Sequence, residues 1–488
     1  MITKRSRLVR TLALLVVLAG IVFAVGVGLP LGHFPVPVQE AGLLVIDNIT
    51  IIDVRAGVAR AEQTIVMAGN RIVSAGDSSA TAAPAGARRV SGKGKFAMPG
   101  LWDMHVHTIG LSPQLHFPLL IANGVTSVRD MGDGCSFSGT LDCTPSAPEW
   151  NRRREAGALL APRLVASASY HVEEVEEGIV ASLHARGDRV LKPQLERNVD
   201  AKVFHALVGQ ATAAGMTVMG HLPHSVDLLD PQLGALYSIE HDESLLPQCA
   251  PRGVAFDGRN RSKLAFLQRA DAARCDSVLA VMATRGIGYV PTHIASSYQD
   301  VALPLGHYRR DARLKYVPAP QRLLWRGYAS VTVAGTDAQD VAPLDAWYKA
   351  ALKLTARAQA SGVAVMAGSD ALDAYITHGF GLHDELAQLV KAGLSPLQAL
   401  RAATSVPAKH AGLERDFGSV EAGKVADIVI LNKNPLDDIA HAGAIDSVIY
   451  DGKLHQRGSL DAMLSFVEQQ AGSFSVNCKF LWAMIRPW

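Results

Sequence analysis

Cysteine is scarce in this chain, and an excess of charge of either sign is missing. The five cysteines among 488 residues form no CxxC pair and no Cys–His cluster with zinc-finger spacing, which removes the small zinc-stapled modules. Lys and Arg total 47 against 45 Asp and Glu, so no basic surplus marks a nucleic-acid surface. Part of the basic share (Lys4, Arg5, Arg7, Arg10) crowds the N-terminus, leaving the remainder near neutral or slightly acidic. No internal repeat and no low-complexity tract appears, which sets aside solenoids and disordered linkers. Between Arg10 and Glu40 charge is absent altogether.

What is present is apolar material. It makes up 49% of the chain, enough for a large core, and the length accommodates a barrel of roughly 250–350 residues with a companion domain. The uncharged stretch runs almost wholly apolar from Leu12 to Leu29. A basic flank followed by such a run reads as an export signal over residues 1–32. It exceeds the roughly 7–15 residues of a cleaved signal's apolar region and is about long enough to cross a bilayer. Ala24, Gly26 and Gly28 make a poor cleavage site. An uncleaved signal anchor, a cleaved signal peptide and a buried helix remain open, the first fitting the length best. Either signal reading leaves the basic flank in the cytoplasm and the rest outside, periplasmic or secreted, with anchoring through residues 12–29. Export agrees with cysteines that could pair, Cys135 with Cys143 and Cys249 with Cys275. Spacing equally allows free thiols, and Cys478 stands alone.

Along the chain the pattern changes twice. Residues 43–95 hold short β-type runs such as Leu44-Val45-Ile46 and Thr64-Ile65-Val66-Met67, punctuated by Gly57, Gly69-Asn70 and Gly76. From 96 to 410, short apolar strands alternate with helical stretches, as in βα units. Strands are expected at Phe96–His107, Thr126–Met131, Arg163–Ser167, Arg189–Lys192, Thr217–His221, Tyr237–His241, Gly288–Pro291 and Val363–Asp370. Asp200 is placed to cap a helix that stops at Gly215, and Ser395-Pro396 to open another. Strands return in 411–458, and 459–488 is a tail with a helical segment near Leu460–Gln469 and aromatics at Phe480, Trp482 and Trp488. The expected fold is α/β: a (β/α)8 TIM barrel with a small β-sandwich-like domain built from both sides of it, preceded by an apolar helix.

Six polar side chains stand out within this frame. His105 and His107 are two apart on a predicted strand, so both imidazoles leave the same face, an arrangement suited to a divalent transition metal. Lys192, His221, His241 and Asp370 each close a predicted strand. Barrel enzymes carry their chemistry at the C-terminal strand ends, so all six can converge.

With these residues in view, the chain resembles the metal-dependent amidohydrolases. The resemblance rests on His105-Val106-His107 after Pro99-Gly100, Gly220-His221, Ile239-Glu240-His241 and Gly368-Ser369-Asp370. It rests also on Thr126-Ser127-Val128-Arg129-Asp130, Tyr289-Val290-Pro291-Thr292, His383-Asp384-Glu385-Leu386, Ala402-Ala403-Thr404 and Gly423-Lys424-Val425-Ala426-Asp427-Ile428-Val429. It spans about residues 43–455 and looks nearest to the branch of Xaa-Pro dipeptidases, imidazolonepropionase relatives and ochratoxinase-like amidases. It implies two divalent metal ions, zinc foremost: His105, His107 and Asp370 on one, His221 and His241 on the other, and Lys192 bridging as an N-carboxylated side chain. It further implies a hydroxide shared by the two metals, with Asp370 as general base and then acid.

The activity so implied is hydrolysis of a C–N amide bond, in a dipeptide or an N-acyl amino acid. Cyclic amide or lactone hydrolysis and deamination are the alternatives on the same site, although mononuclear deaminases generally lack the bridging lysine. A non-catalytic binding protein would be expected to lose a ligand, and all six positions are filled. Around this core His293 is a candidate for oxyanion stabilisation. Tyr170, His171, His224 and Tyr298 are candidates for substrate contact from loops at the barrel mouth, and His378 and His383 fall near the pocket. Glu385 reads as the anchor of a helix start, and 242–287 as a rim or lid. The sequence leaves substrate, metal and oligomeric state open.

Overall fold

A computed structural model of the chain describes every residue except 1, 37–41, 82–83, 133, 138–142, 197–198, 252–253, 255, 257–258, 296–309, 335, 337–338 and 486–488; the side chains of 2–8, 136–137, 332–334 and 485 are also outside the description. The architecture is mixed α/β, with an apolar helix at Ile2–Gly28 ahead of it.

Strands from both sides of the α/β region join in one eight-stranded sheet. β1 (Leu43–Asp53) pairs antiparallel with β2 (Val58–Ala68), which pairs with β3 (Arg71–Asp77). β4 (Arg88–Ser91) and β5 (Phe96–Pro99) lie parallel to β1. The returning chain then adds β14 (Ile428–Leu431), β15 (Ile445–Tyr450) and β16 (Lys453–Gln456), with β14 antiparallel to β5. Ile46, Ile49, Ile51, Ile65, Ile428 and Ile449 fill a core of its own on this sheet. β-branched side chains suit such a pleated, half-buried surface.

The single strand expected at Phe96–His107 is two. It breaks at Gly100, so that β5 joins the eight-stranded sheet while β6 (Leu101–Val106) turns to pair with β7 (Val125–Asp130). β7 in turn pairs with β8 (Arg163–Ser167). All three strands run parallel, and β6 and β7 are buried along their whole length, as parallel strands covered on both faces must be. A second parallel sheet contains β9 (His171–Val172), β10 (Val190–Pro193), β11 (Thr217–Gly220), β12 (Ser238–Glu240) and β13 (Gly288–Val290), in that order.

Residues 363–371 join the two parallel sheets. Met366 N–H donates to the carbonyl of Tyr289 on β13, and Asp370 N–H donates to the carbonyl of His105 just before the end of β6. A continuous strand was expected here; the structure has isolated parallel bridges at Val365 and Ala371 instead. Positive φ at Asp370 and Leu372 bends the backbone out of extended geometry.

The helices follow their caps. Asp200 accepts from Lys202 N at 2.9 Å and starts Ala201–Ala213. Ser395 and Gln398 close a reciprocal capping box on Pro396–Ala402. The stretch 242–287, expected as a rim or lid, contains the helices Asp242–Leu245, Asn260–Leu267 and Ala272–Arg285. Phe266 in it packs near Trp347 in the core. Cys249 and Cys275 of this stretch are joined by a disulfide, as are Cys135 and Cys143. Phe480 and Trp482 of the aromatic tail lie in a helix, Phe474–Ile485, and Trp488 lies outside the described residues.

Candidate metal centre

The strand ends bring four imidazoles, a lysine and an aspartate together. Nε2 of His105 is 3.3 Å and Nε2 of His107 is 3.1 Å from the same Oδ1 of Asp370. One donor atom from each of these three residues lies within 4.8 Å of the others. His241 approaches from the side, its Nδ1 3.8 Å from Oδ2 of Asp370. Its ring centre is 4.7 Å from that of His105 and 4.8 Å from that of His221. Lys192 is fully enclosed, with Nζ donating to the Met131 carbonyl at 2.8 Å.

Local sequence explains how the cluster is held. His105 and His107 share a face because strand side chains alternate. His241 and Thr292 follow β12 and β13, Asp370 lies between the two isolated bridges of 363–371, and all three have positive φ, 66°, 48° and 59°. His241 combines that φ with ψ 150°, a region nearly confined to glycine. Strain of this kind costs on the order of 1–3 kcal/mol per residue and gathers at functional sites. Two glycines make room. A Cβ on Gly368 would stand 2.8 Å from Cβ of His105, and one on Gly220 would stand 3.0 Å from Cγ of Lys192.

Electrostatics keeps the donors in ligating form. Burial drives His105 down to about 3, despite the upward pull of Asp370 and Glu240, and it also lowers His107 and His221. A neutral imidazole has a lone pair to offer. Burial would raise Asp370, but His105, His107 and His241 hold it well below the usual carboxylate range. Burial brings Lys192 down to about 8, so its amine loses a proton far more readily than an ordinary lysine.

Some of the supporting residues were not assigned roles from sequence. Glu240 is buried and accepts from Nδ1 of His105 at 2.9 Å. Arg129 reaches both oxygens of Glu240 at 2.7 Å, and also the carbonyl of Met104. Thr292 Oγ1 lies 2.7 Å from Nδ1 of His241. Asp103 accepts from the backbone N–H groups of His105 and Ser369 and from the Ser369 hydroxyl, tying β6 to the Asp370 turn. The signal for Glu240 was the period of two in Ser238-Ile239-Glu240, which points Ser238 and Glu240 inward together.

The outer candidates divide. His171, expected in a loop, is in β9, paired in register with Lys192, and its ring is 5.9 Å from that of His107. His378 Nε2 donates to the backbone carbonyl of His107 at 2.8 Å, behind the cluster, and its ring stacks on His116. His293 is instead fully buried against helix Val341–Ala360, with Nε2 2.7 Å from Thr355 Oγ1. The carboxylate of Glu385, in helix Phe380–Lys391, accepts the N–H of Ile294 and fixes the loop after β13. His224 lies against Phe256 and the Glu243 carbonyl, and Tyr170 packs on the main core. His383 faces the Asn123 carbonyl. Tyr298 lies outside the described residues.

The donor set fits divalent metal ions. With Nδ1 of His105 engaged by Glu240, its Nε2 is a buried ring nitrogen with no hydrogen-bond partner among the described residues, turned toward the Asp370 carboxylate. Such an orienting carboxylate behind a histidine is the usual support of a ligating imidazole.

Residues 351–455 match the model of the amidohydrolase family. Among solved structures, bottromycin amidohydrolase is similar at 22% identity and a TM-score of 0.67, over 88% of this chain and 90% of that one. A candidate prolidase from Bifidobacterium longum is 22% identical, with a TM-score of 0.59 over 88% of this chain and all of that one (100%). A Xaa-Pro dipeptidase with methionine in its active site is 18% identical, with a TM-score of 0.58 over 85% and 100%. At these identities the likeness is one of fold. No curated protein matches the chain.

Proposed function

We propose that this chain, an amidohydrolase by its family match over 351–455 and by the fold it shares with those solved structures, hydrolyses C–N amide bonds with two divalent metal ions, zinc foremost. The observation that carries the reading is the convergence of His105 Nε2 and His107 Nε2 on one oxygen of Asp370. The parallel pairing of β6–β8 and β9–β13, linked by 363–371, supports a (β/α)8 barrel with these residues at its C-terminal rim.

In this reading His105, His107 and Asp370 would hold one ion and His221 and His241 the other, and Lys192, in N-carboxylated form, would add its carbamate to the donor set. Bound there, the ions supply Lewis-acid polarisation of the amide carbonyl and an acidified water. The chain's own residues do the rest. Asp370, kept ionised by the three histidines around it, takes the proton from the attacking water and delivers it to the leaving nitrogen. Glu240 and Thr292 orient His105 and His241 from behind, and Asp103 sets the Asp370 turn. His171, beside Lys192 and His107, contacts the substrate from the rim.

The substrate class is a dipeptide or an N-acyl amino acid. The apolar helix that includes Val9–Gly28 supports export, with the catalytic part outside the cytoplasm. Metal analysis of the purified chain, together with a screen of dipeptides and N-acyl amino acids, tests the proposal. Two equivalents of metal with amide cleavage are expected. One equivalent with deamination, or no metal uptake after incubation with zinc and bicarbonate, overturns it.

A further inference from the structure

Most of the large apolar groups left facing outward fall on three helices: Ile2–Gly28, Ala319–Ala334 and Phe474–Ile485. Leu323 is 69% and Val331 74% exposed, and Leu324, Phe474, Leu481 and Met484 are exposed as well. An apolar surface of this extent on a protein marks a place of interaction.

Two of these helices are in contact with the candidate membrane span or with each other. Phe474–Ile485 packs on the N-terminal helix: the ring of Trp482 is 6.3 Å from that of Phe23, and the Ser475 hydroxyl donates to the Gly26 carbonyl at 3.1 Å. Leu323, Leu324 and Tyr328 from Ala319–Ala334 line one groove of about 440 Å³ together with Leu481 and Met484. Neither helix contains an acidic residue, while Arg322, Arg326 and Lys479 carry positive charge. Apolar side chains interleaved with basic ones on the two helices, with Asp373 the one carboxylate on the opposite wall of the groove, match an anionic lipid surface.

The same groove is walled in part by the segment that follows Asp370. Its remaining wall includes Leu372 and Ala374, two and four residues beyond Asp370. Trp325, buried on the inner face of Ala319–Ala334, sits 5.5 Å from the ring of Tyr375. The helix is thereby fastened over the segment that presents Asp370.

We infer that Ala319–Ala334 and Phe474–Ile485 form a membrane-docking face continuous with the N-terminal helix, and that the groove between them admits the hydrocarbon part of a bilayer-dissolved amide. The second half of this statement rests on the hydrolase reading of the site; the first half does not. The substrate class it selects is N-acyl amino acids with long acyl chains rather than free dipeptides. Such molecules partition into the bilayer through their tails, and a groove at membrane level spares them full transfer into water.

The test uses the full chain in nanodiscs containing anionic lipid. Nitroxides are placed at Leu323→Cys, Val331→Cys and, as a control on an exposed site away from the face, Lys433→Cys. Labels at 323 and 331 are expected to be relaxed by dissolved oxygen and shielded from a water-soluble nickel chelate, with the opposite pattern at 433. Labels at 323 and 331 as open to the chelate as the one at 433 overturn the docking face. The paired variant Leu323→Glu/Leu324→Glu, both of whose positions line the groove, is then compared with the parent on N-acetyl and N-dodecanoyl amino acids. Loss of about tenfold in kcat/KM on the long-chain substrate alone is expected from removing two apolar contacts. Equal rates, or equal losses on both, overturn the tail groove. Hydrolysis of neither substrate by the parent chain strikes at the hydrolase reading instead, and the label depths still decide the docking.

Discussion

The Glu240 carboxylate lies 2.9 Å from Nδ1 of His105 and is held from its other side by the Arg129 guanidinium at 2.7 Å. Burial alone would raise the Glu240 pKa, yet Arg129 and His105 bring it down to about 2. The buried negative charge therefore persists at any working pH and fixes the proton of His105 on Nδ1, leaving Nε2 for a metal.

Glu240→Gln keeps the shape and removes the charge. The amide can present a donor where the imidazole needs an acceptor, and Arg129 loses its ionic partner. Metal affinity is expected to fall about 10–100-fold, the usual cost of losing a residue that orients a ligand, with thermal stability also lowered. Metal retained after dialysis against graded chelator measures it; an unchanged affinity would remove Glu240 from the metal support.

A pH dependence follows from Lys192. Burial lowers its pKa from 10.5 to about 8, against the pull of Asp370 and Glu240. Carboxylation consumes the neutral amine, and the neutral fraction grows as pH rises through that value. With bicarbonate and zinc present, carbamate formation and metal uptake should increase from about pH 6.5 to about pH 8.5 and then level off. A 13C-bicarbonate NMR signal on the folded chain reports it. The signal should be absent in Lys192→Arg, and persistence there would place the carbamate elsewhere.

Asp370→Asn separates binding from turnover. Asparagine tolerates positive φ well, so the φ of 59° at this position is not a source of added strain. It retains an oxygen ligand but cannot accept and return a proton. A drop in kcat of about 10²–10⁴-fold with most of the metal retained is expected. Near-parental turnover would move the proton transfer to another group.

Much of this centre could be read in advance because its chemistry is written in local patterns. The alternation of a strand makes His105 and His107 neighbours, and His221, His241 and Asp370 stand where predicted strands stop. The supporting layer was less legible. Glu240 and Arg129 meet only because β7 and β12 face each other across the interior, a relation with no local signature. His293 falls just past a predicted strand by sequence, close to where His221 ends another, yet it turns to Thr355. Its neighbour Thr292 takes positive φ, and one such residue reverses the direction of the next side chain. The break at Gly100 had a local mark, the turn dipeptide Pro99-Gly100, but nothing in the short apolar stretches on either side of it says that they join different sheets.

Gly368 offers a test of how closely the centre is packed. A Cβ at this position would lie 2.5 Å from Cγ1 of Val290, 2.8 Å from Cβ of His105 and 3.0 Å from the His105 amide nitrogen. Val290 and His105 are themselves buried on two different strands, and one of the three contacts is to backbone, so no flexible side-chain end can give way. Gly368→Ala should therefore displace β6 from 363–371, cost about 1–3 kcal/mol in stability as overpacking does, and reduce metal affinity because His105 moves with β6. Alanine at Gly362, with a φ of 83° but open space around its Cβ, is the control: it should lower stability through backbone strain and leave metal affinity unchanged. Equal metal affinities for the two variants would show that the contact of Gly368 with His105 does not position the ligand.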